Sequence, residues 1–336
     1  MTNEALLVYK KLTLAEGNDF GEDTVTDGTK LLELASDGVI LGQNPGIINP
    51  VTINGTAALQ RHFTGTYSPG FDINCLLRSK DVALLILKAA MGTLVTTQPD
   101  VTNHPTVYQH KLTIDEEIVY GLSKGLCFQA KIASGKVYDI LDCIINSFSI
   151  EHTVNAEIGV KARVEGRKIA TSVATLASIT RPTQNPFIFH QATFKIDTVA
   201  KKLSQCVVNF NNNYKLDLFA NEQYRSRFVR NGVRNVGGTL TFPMVDSDTF
   251  ALYTAWLAGS SAVLQMYWEG AAISGTYKYK VQIDIPNAVY AFTDIPGGGG
   301  AEVPQGAVPF IALEDPTNGK KEIEITIVNN SANFYY

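Results

Sequence analysis

Short runs in which apolar and polar residues alternate fill most of this chain, and that period of two constrains the fold more than any other feature. The runs "FDINCLL" (71–77), "VYQHKLTI" (107–114), "LCFQAKI" (126–132), "CIINSFSIEH" (143–152) and "EIGVKARVEG" (157–166) are separated by Gly, Pro, Asn and Asp. The second half adds "FIFHQATFKI" (187–196), "CVVNF" (206–210), "VLQMYW" (263–268), "YKYKVQIDI" (277–285) and "KEIEITIV" (321–328). Successive side chains of a strand point to opposite faces, so each run buries one face and wets the other. A mainly β fold is the expectation.

Only two stretches, 80–91 and 247–258, read as helix. Each starts beside Ser or Asp, whose oxygen can accept from a free amide of the first turn, and stops at a glycine, Gly92 or Gly259. Both are expected to be largely buried. In the second, Phe250, Leu252, Tyr253, Trp256 and Leu257 cover most of a helical face and require a sheet to lie on.

The two helical stretches belong to a longer correspondence. At an offset of 167, Gly70, Asp81, Leu85 and Gly92 fall on Gly237, Asp248, Leu252 and Gly259. Downstream, "YQHKLTID" (108–115) faces "YKYKVQID" (277–284) at an offset of 169. An offset of about half the chain is what tandem duplication leaves behind; the alternative is coincidence between two generic strand–helix units. A chain of 336 residues also exceeds what one core usually needs. The expected division is 1–180, a first β domain with an N-terminal arm, and 181–336, a second, each with one short helix. Residues 36–56 and 294–309, rich in Gly, Pro and Asn, read as long loops or loosely paired arms.

Chemistry is hard to find. With 28 basic and 32 acidic residues the net charge is −4, which disfavours a dedicated binder of phosphate backbones. No run approaches the roughly 18 apolar residues of a spanning helix. The start "MTNEALLVYKK" reads as neither secretory leader nor anchor, so a cytosol-like compartment is expected. Cys75, Cys127, Cys143 and Cys206 are far apart and form no Cys-x-x-Cys, so buried free thiols are expected, with zinc or disulfide chemistry as the alternative. His62, His104, His110, His152 and His190 lack ligand spacing and read as structural or exposed. The "GGGG" at 297–300 lacks the Lys-Ser or Lys-Thr ending of a phosphate loop and reads as a hairpin tip, and "DEE" at 115–117 reads as a solvated turn. No catalytic, cofactor or metal site emerges.

One charge pattern remains. Residues 1–37 carry eight acidic side chains against three lysines, whereas "NEQYRSRFVRNGVR" (221–234) carries four arginines against one glutamate. Between repeated subunits such complements would fix orientation more than affinity. The candidate contact residues are Glu22 and Asp23 on one side and Arg225, Arg227, Arg230 and Arg234 on the other.

Several patterns occur together, in order, over about residues 5–328. They are "LVYKKLTLAEGND" at the start, "GFDINCLLRSKDVALLILKAAMG", the strand pair in "YDILDCIINSFSIEHTVNAEIGVKARVEGRKI", then "RSRFVRNGVRNVGGTLTFPMVDSDTFALYTAWLAG" and the closing "AEVPQGAVPFIALEDPTNGKKEIEITIVNN". Together they resemble the major tail proteins, or tail tube proteins, of long-tailed bacteriophages, in the group built from two tube-type halves. The resemblance implies a β-sandwich or small barrel flanked by a helix, with paired central strands and a final hairpin. It implies a structural virion protein, not an enzyme, whose copies close into rings stacked head to tail as a hollow tube that conducts DNA. Its partners would be itself, neighbouring rings, tail terminator and tip proteins, and passing DNA without specific binding; no cofactor or membrane is implied. The location would be the virion tail, assembled in the host cytoplasm. Two complete tube domains per chain would make the ring a trimer with pseudo-sixfold symmetry, and a single one would make it a hexamer. The rival reading is a receptor- or carbohydrate-binding β-sandwich of the virion tip.

Overall fold

The computed structural model describes residues 11–16, 32–34, 47–48, 63–115, 125–131, 137–172, 181–217, 223–225, 227–243, 245, 247–292 and 306–334. The first half supplies β1 (Lys11–Glu16), β2 (Ile47–Ile48), β3 (Phe63–Thr64), β4 (Gly70–Leu76), β5 (Gly92–Thr97) and β6 (Tyr108–Ile114). It continues with β7 (Leu126–Lys131), β8 (Val137–Thr153), β9 (Gly159–Glu165) and β10 (Lys168–Ser172). The second half holds β11 (Ala192–Ile196), β12 (Val199–Lys201), β13 (Gln205–Asn211), β14 (Tyr214–Asp217), β15 (Arg227–Arg230) and β16 (Asn235–Phe242). It ends with β17 (Ser261–Ser274), β18 (Tyr277–Tyr290), β19 (Gly306–Ala312) and β20 (Glu324–Asn329). Helix α1 (Leu84–Met91) follows β4, and α2 (Ser247–Leu257) follows β16. The protein is mainly β and its strand ladders are antiparallel, as the alternation requires.

Two long sheet paths run through both halves. One has the order β4, β9, β8, β13, β16, β19; the other is β5, β6, β20, β18, β17, β11, β12. They meet where the last residues of β18, Ala288–Tyr290, pair with β19. Chain that precedes residue 181 and chain that follows it thus share two strand ladders among the described residues. Ser147–Thr153 of β8 pair with β13, and β6 pairs with β20. The final hairpin implied by the resemblance is not formed: β20 leaves β19, crosses after the Asp315–Lys320 turn, and inserts between β18 and β6. Insertion satisfies both edges of β20, where a hairpin with β19 would have left one open.

Strand β8 belongs to two sheets because it bends. Its first part pairs with β7 and β10, and its last part with β9 and β13. Asp142 adopts φ 50°, and the ladder to β9 slips between Ile145 and Ser147, at the Asn-Ser pair. The freed carbonyl and side chain of Asn146 accept from the amides of Asn212 and Tyr214.

The order strand, helix, strand, strand occurs twice, as β4–α1–β5–β6 and β16–α2–β17–β18. Asp81 Oδ1 accepts from the Ala83 amide ahead of α1, and both helices end at glycines with positive φ, 99° at Gly92 and 67° at Gly259. Burial separates the two. Helix α1 lies under β8, β6 and β5 and is buried almost throughout, whereas α2 rests on β18 and β19 and buries only Thr249 and Leu252.

Inward-facing rows of both sheets form one contiguous core, from Phe71, Ile73 and Phe128 to Trp268, Ile283 and Phe310. All four cysteines are buried and form no disulfide, and Cys75, Cys143 and Cys206 belong to this core. Burial pushes the Cys206 thiol up to about 12 and raises those of Cys75 and Cys143. His152 is also inside, edge-on to Phe194, and its Nδ1 accepts from Trp268 Nε1 at 3.4 Å. Burial lowers its pKa from 6.5 to about 4. The folded state therefore binds fewer protons than the unfolded chain, and the associated stability is complete above pH 6.5 and lost as the pH falls towards about 4. Urea unfolding between pH 7 and 4 is expected to show this decline, with a slope contribution of at most ~1.4 kcal/mol per pH unit from one proton. His152→Gln should flatten it; an unchanged slope would contradict the assignment.

Candidate assembly surfaces

The outer face of the β5–β12 path is polar and locally neutral. Strand register brings Thr93, Thr113, Glu324, Asp284, Gln265 and Lys195 into one row across six strands. Lys111 lies 3.0 Å from Glu324, and Lys278 and Lys280 lie 3.2 and 3.9 Å from Glu269. Lys280 also sits 4.2 Å over the Tyr267 ring, while Gln265 and Gln282 both donate to Asp284. Each cation is held beside an anion or an aromatic face, so the surface carries little uncompensated positive charge.

The two ends of that path differ. In the second half, the outer edge of β17 is covered by β11. The corresponding strand of the first half, β5, pairs only with β6 among the described residues. Its sequence "GTLVTT" has no charge and no proline, the usual means of blunting an edge, and Val95 is 52% exposed.

The candidate arginines do not share one environment. Arg225 is buried, with Nη1 donating to Glu165 Oε2 at 2.9 Å and to the carbonyls of Gly166 and Pro69 at 3.1 and 3.3 Å. Burial lowers its pKa, opposed by Glu165. Arg234 is also buried, 3.5 Å from Glu322 and over the Phe210 ring. Arg230 is half-buried and hydrogen-bonded to Tyr214, across the β14–β15 hairpin. Arg227 begins β15; its side chain, like Glu22 and Asp23, lies outside the described residues. From the acidic first segment, Glu33 pairs with buried Arg78 at 2.7 Å. Sequence reading missed the Arg225–Glu165 pair because its partners are 60 residues apart and meet only through sheet packing.

The remaining chemical candidates fall into structural roles. His110 is buried, with Nδ1 2.9 Å from Thr96 Oγ1 and Nε2 3.1 Å from Asn329 Oδ1; His104 meets Tyr277 edge-on, and His190 is exposed. His62 and the glycine run at 297–300 lie outside the described residues, as do Glu116 and Glu117. A shallow cleft of about 450 Å³ lies over β4, β9, β8 and β13. Its cations are engaged, Lys161 with Glu151 at 2.7 Å and Arg163 with Glu165 at 2.9 Å. Among the described residues no three His, Cys, Asp or Glu side chains gather as metal ligands, and no helix is long and apolar enough to cross a membrane. Trp268 is buried and Trp256 packs on Phe292, so neither is an open platform for a sugar ring.

Arg225→Ala leaves the Glu165 carboxylate buried with only the Arg163 guanidinium as ionic partner, and should cost ~3–5 kcal/mol. Chemical denaturation of the purified variant measures that loss, and a change below ~1 kcal/mol would contradict the pairing.

A family model described as phage tail tube protein matches residues 2–312. No curated protein matches.

Proposed function

The chain belongs to the phage tail tube protein family, and from that premise we propose that its copies close sideways into rings that stack head to tail as a hollow tube for DNA. Membership makes it a structural protein of the virion tail. The observation that most supports ring closure is the edge of β5, open among the described residues, whose counterpart β17 is completed by β11 within the chain. A neighbouring copy that supplies a strand there satisfies the edge, and repetition of one heterologous contact closes a ring.

The repeated strand–helix–strand–strand order supports two tube-type units, 1–180 and 181–336, despite their shared ladders. Three chains then supply six units, so a trimer with pseudo-sixfold symmetry is preferred to a hexamer. The compensated face of the β5–β12 path suits a lumen, because free cations would bind passing phosphates and slow ejection. Neighbouring rings and the terminator and tip proteins cap the open axial faces, and assembly takes place in the host cytoplasm. The work is architectural, without turnover.

Negative-stain imaging of the purified protein tests this. Rings or rods of uniform width, with threefold or pseudo-sixfold class averages, are expected. A particle that remains single at high concentration would sink the proposal.

The acidic N-terminal arm, with Glu22 and Asp23, is proposed to meet Arg227 and Arg230 of a neighbour. Arg225 and Arg234, being buried with Glu165 and Glu322, would hold the hairpin in place from within. Reversal of Arg227 and Arg230 to Glu should abolish or slow tube formation while circular dichroism stays unchanged. Normal tubes from that variant would remove the contact from the proposal.

A further inference from the structure

Helix α2 has no charged side chain between Thr249 and Ala258. Its inner side is accounted for: Leu252 is buried, and Tyr253 and Trp256 lie 5.5 and 5.9 Å from the Phe292 ring. Its outer side is equally apolar but open. Phe250 and Leu257, two turns apart on one face, are 47% and 64% exposed, and Ala251, Thr254 and Ala258 between and beside them are exposed too. A helix apolar on every side is normally enclosed.

The internal repeat supplies a control. At the offset of 167 this stripe corresponds to Ala83, Leu84, Leu87, Ala90 and Met91. All five are buried, beneath the chain's own β8, β6, β5 and β1. Among the described residues α2 packs chiefly on β18 and β19, and Lys201 of β12 reaches Asp248 in its first turn. The same stripe is therefore covered in one unit and open in the other.

From this we infer that the outer stripe of α2 is an interface with a second copy of the chain. A helix face alone falls far short of the ~800 Å² per partner of a stable contact, and here the surface continues. Lys201 of β12 pairs with Asp248 at the start of α2 at 2.9 Å, and Asp197 accepts from the Val263 amide at 2.8 Å. Val199, 57% exposed, lies on the same face of β12 as Lys201 and thereby extends the apolar surface from the helix onto the β11–β12 turn. The charge at its margin, Asp248, is already matched by Lys201, so the surface suits an uncharged protein face. A second copy is the occupant because the proposed tube sets copies of this chain side by side and in stacked rings. The inference rests on the tube reading but names a surface that reading leaves open.

Thiol labelling tests it, because the four native cysteines are buried. Phe250→Cys and Leu257→Cys, made singly, should react readily with a maleimide in dilute, unassembled protein and at least ~10-fold more slowly in assembled rings or tubes. Assemblies in which both sites react as fast as in single subunits overturn the inference and leave the tube reading intact. Slow reaction already in single subunits overturns it as well, since the chain would then cover its own stripe. Wild-type protein that never assembles overturns both. As a second arm, Phe250→Glu with Leu257→Glu should keep the far-ultraviolet circular dichroism and lose assembly; assembly at the wild-type level counts against the interface.

Discussion

Every strand edge in this protein has to find a partner, and the rest of the structure depends on how that is met. A buried main-chain donor or acceptor left unpaired costs about as much as a lost hydrogen bond, so a chain with twenty strands among its described residues is organised by its edges. The solution taken is to stitch the two halves together. Strand β8 passes from one sheet into a ladder with β13, and the last strand, β20, is inserted between the hairpin strand β6 of the first half and β18 of the second. A single hydrophobic core follows from that stitching.

Buried polar groups secure the places where strands cannot. Asn329, at the end of β20, donates to the carbonyl of Ser79 at 2.9 Å and accepts from the amide of Ser331 at 2.9 Å, beside His110. Arg78 gathers Glu33, Asp81 and the carbonyl of Gln184, tying together the segment before β2, the turn into α1 and the chain that enters the second half. Arg225 does the same for the loop before β15. Such groups add little net stability when complete, yet removal of one partner is costly, so they specify one arrangement of loops more than they strengthen it.

The strand–helix–strand–strand order occurs twice, with different covers in its two occurrences. Among the described residues, α1 is enclosed and the edge of β5 is open in the first unit, whereas in the second the edge of β17 is closed by β11 and the outside of α2 is open. Each unit lacks a cover that the other has.

The sequence by itself determined the strand content, the two helices with their glycine stops, the repeat, and the buried thiols, because period, capping and hydrophobicity act over a few residues. It also marked the family, through local patterns in a fixed order. Only the tertiary structure decided which strands pair, that β20 leaves β19 for β6, and that Arg225 and Arg234 turn inward to Glu165 and Glu322. Nor did apolar content separate α1 from α2. Burial is a property of what lies above a side chain, and partners 60 or 200 residues away leave no trace in local spacing until the sheets bring them together.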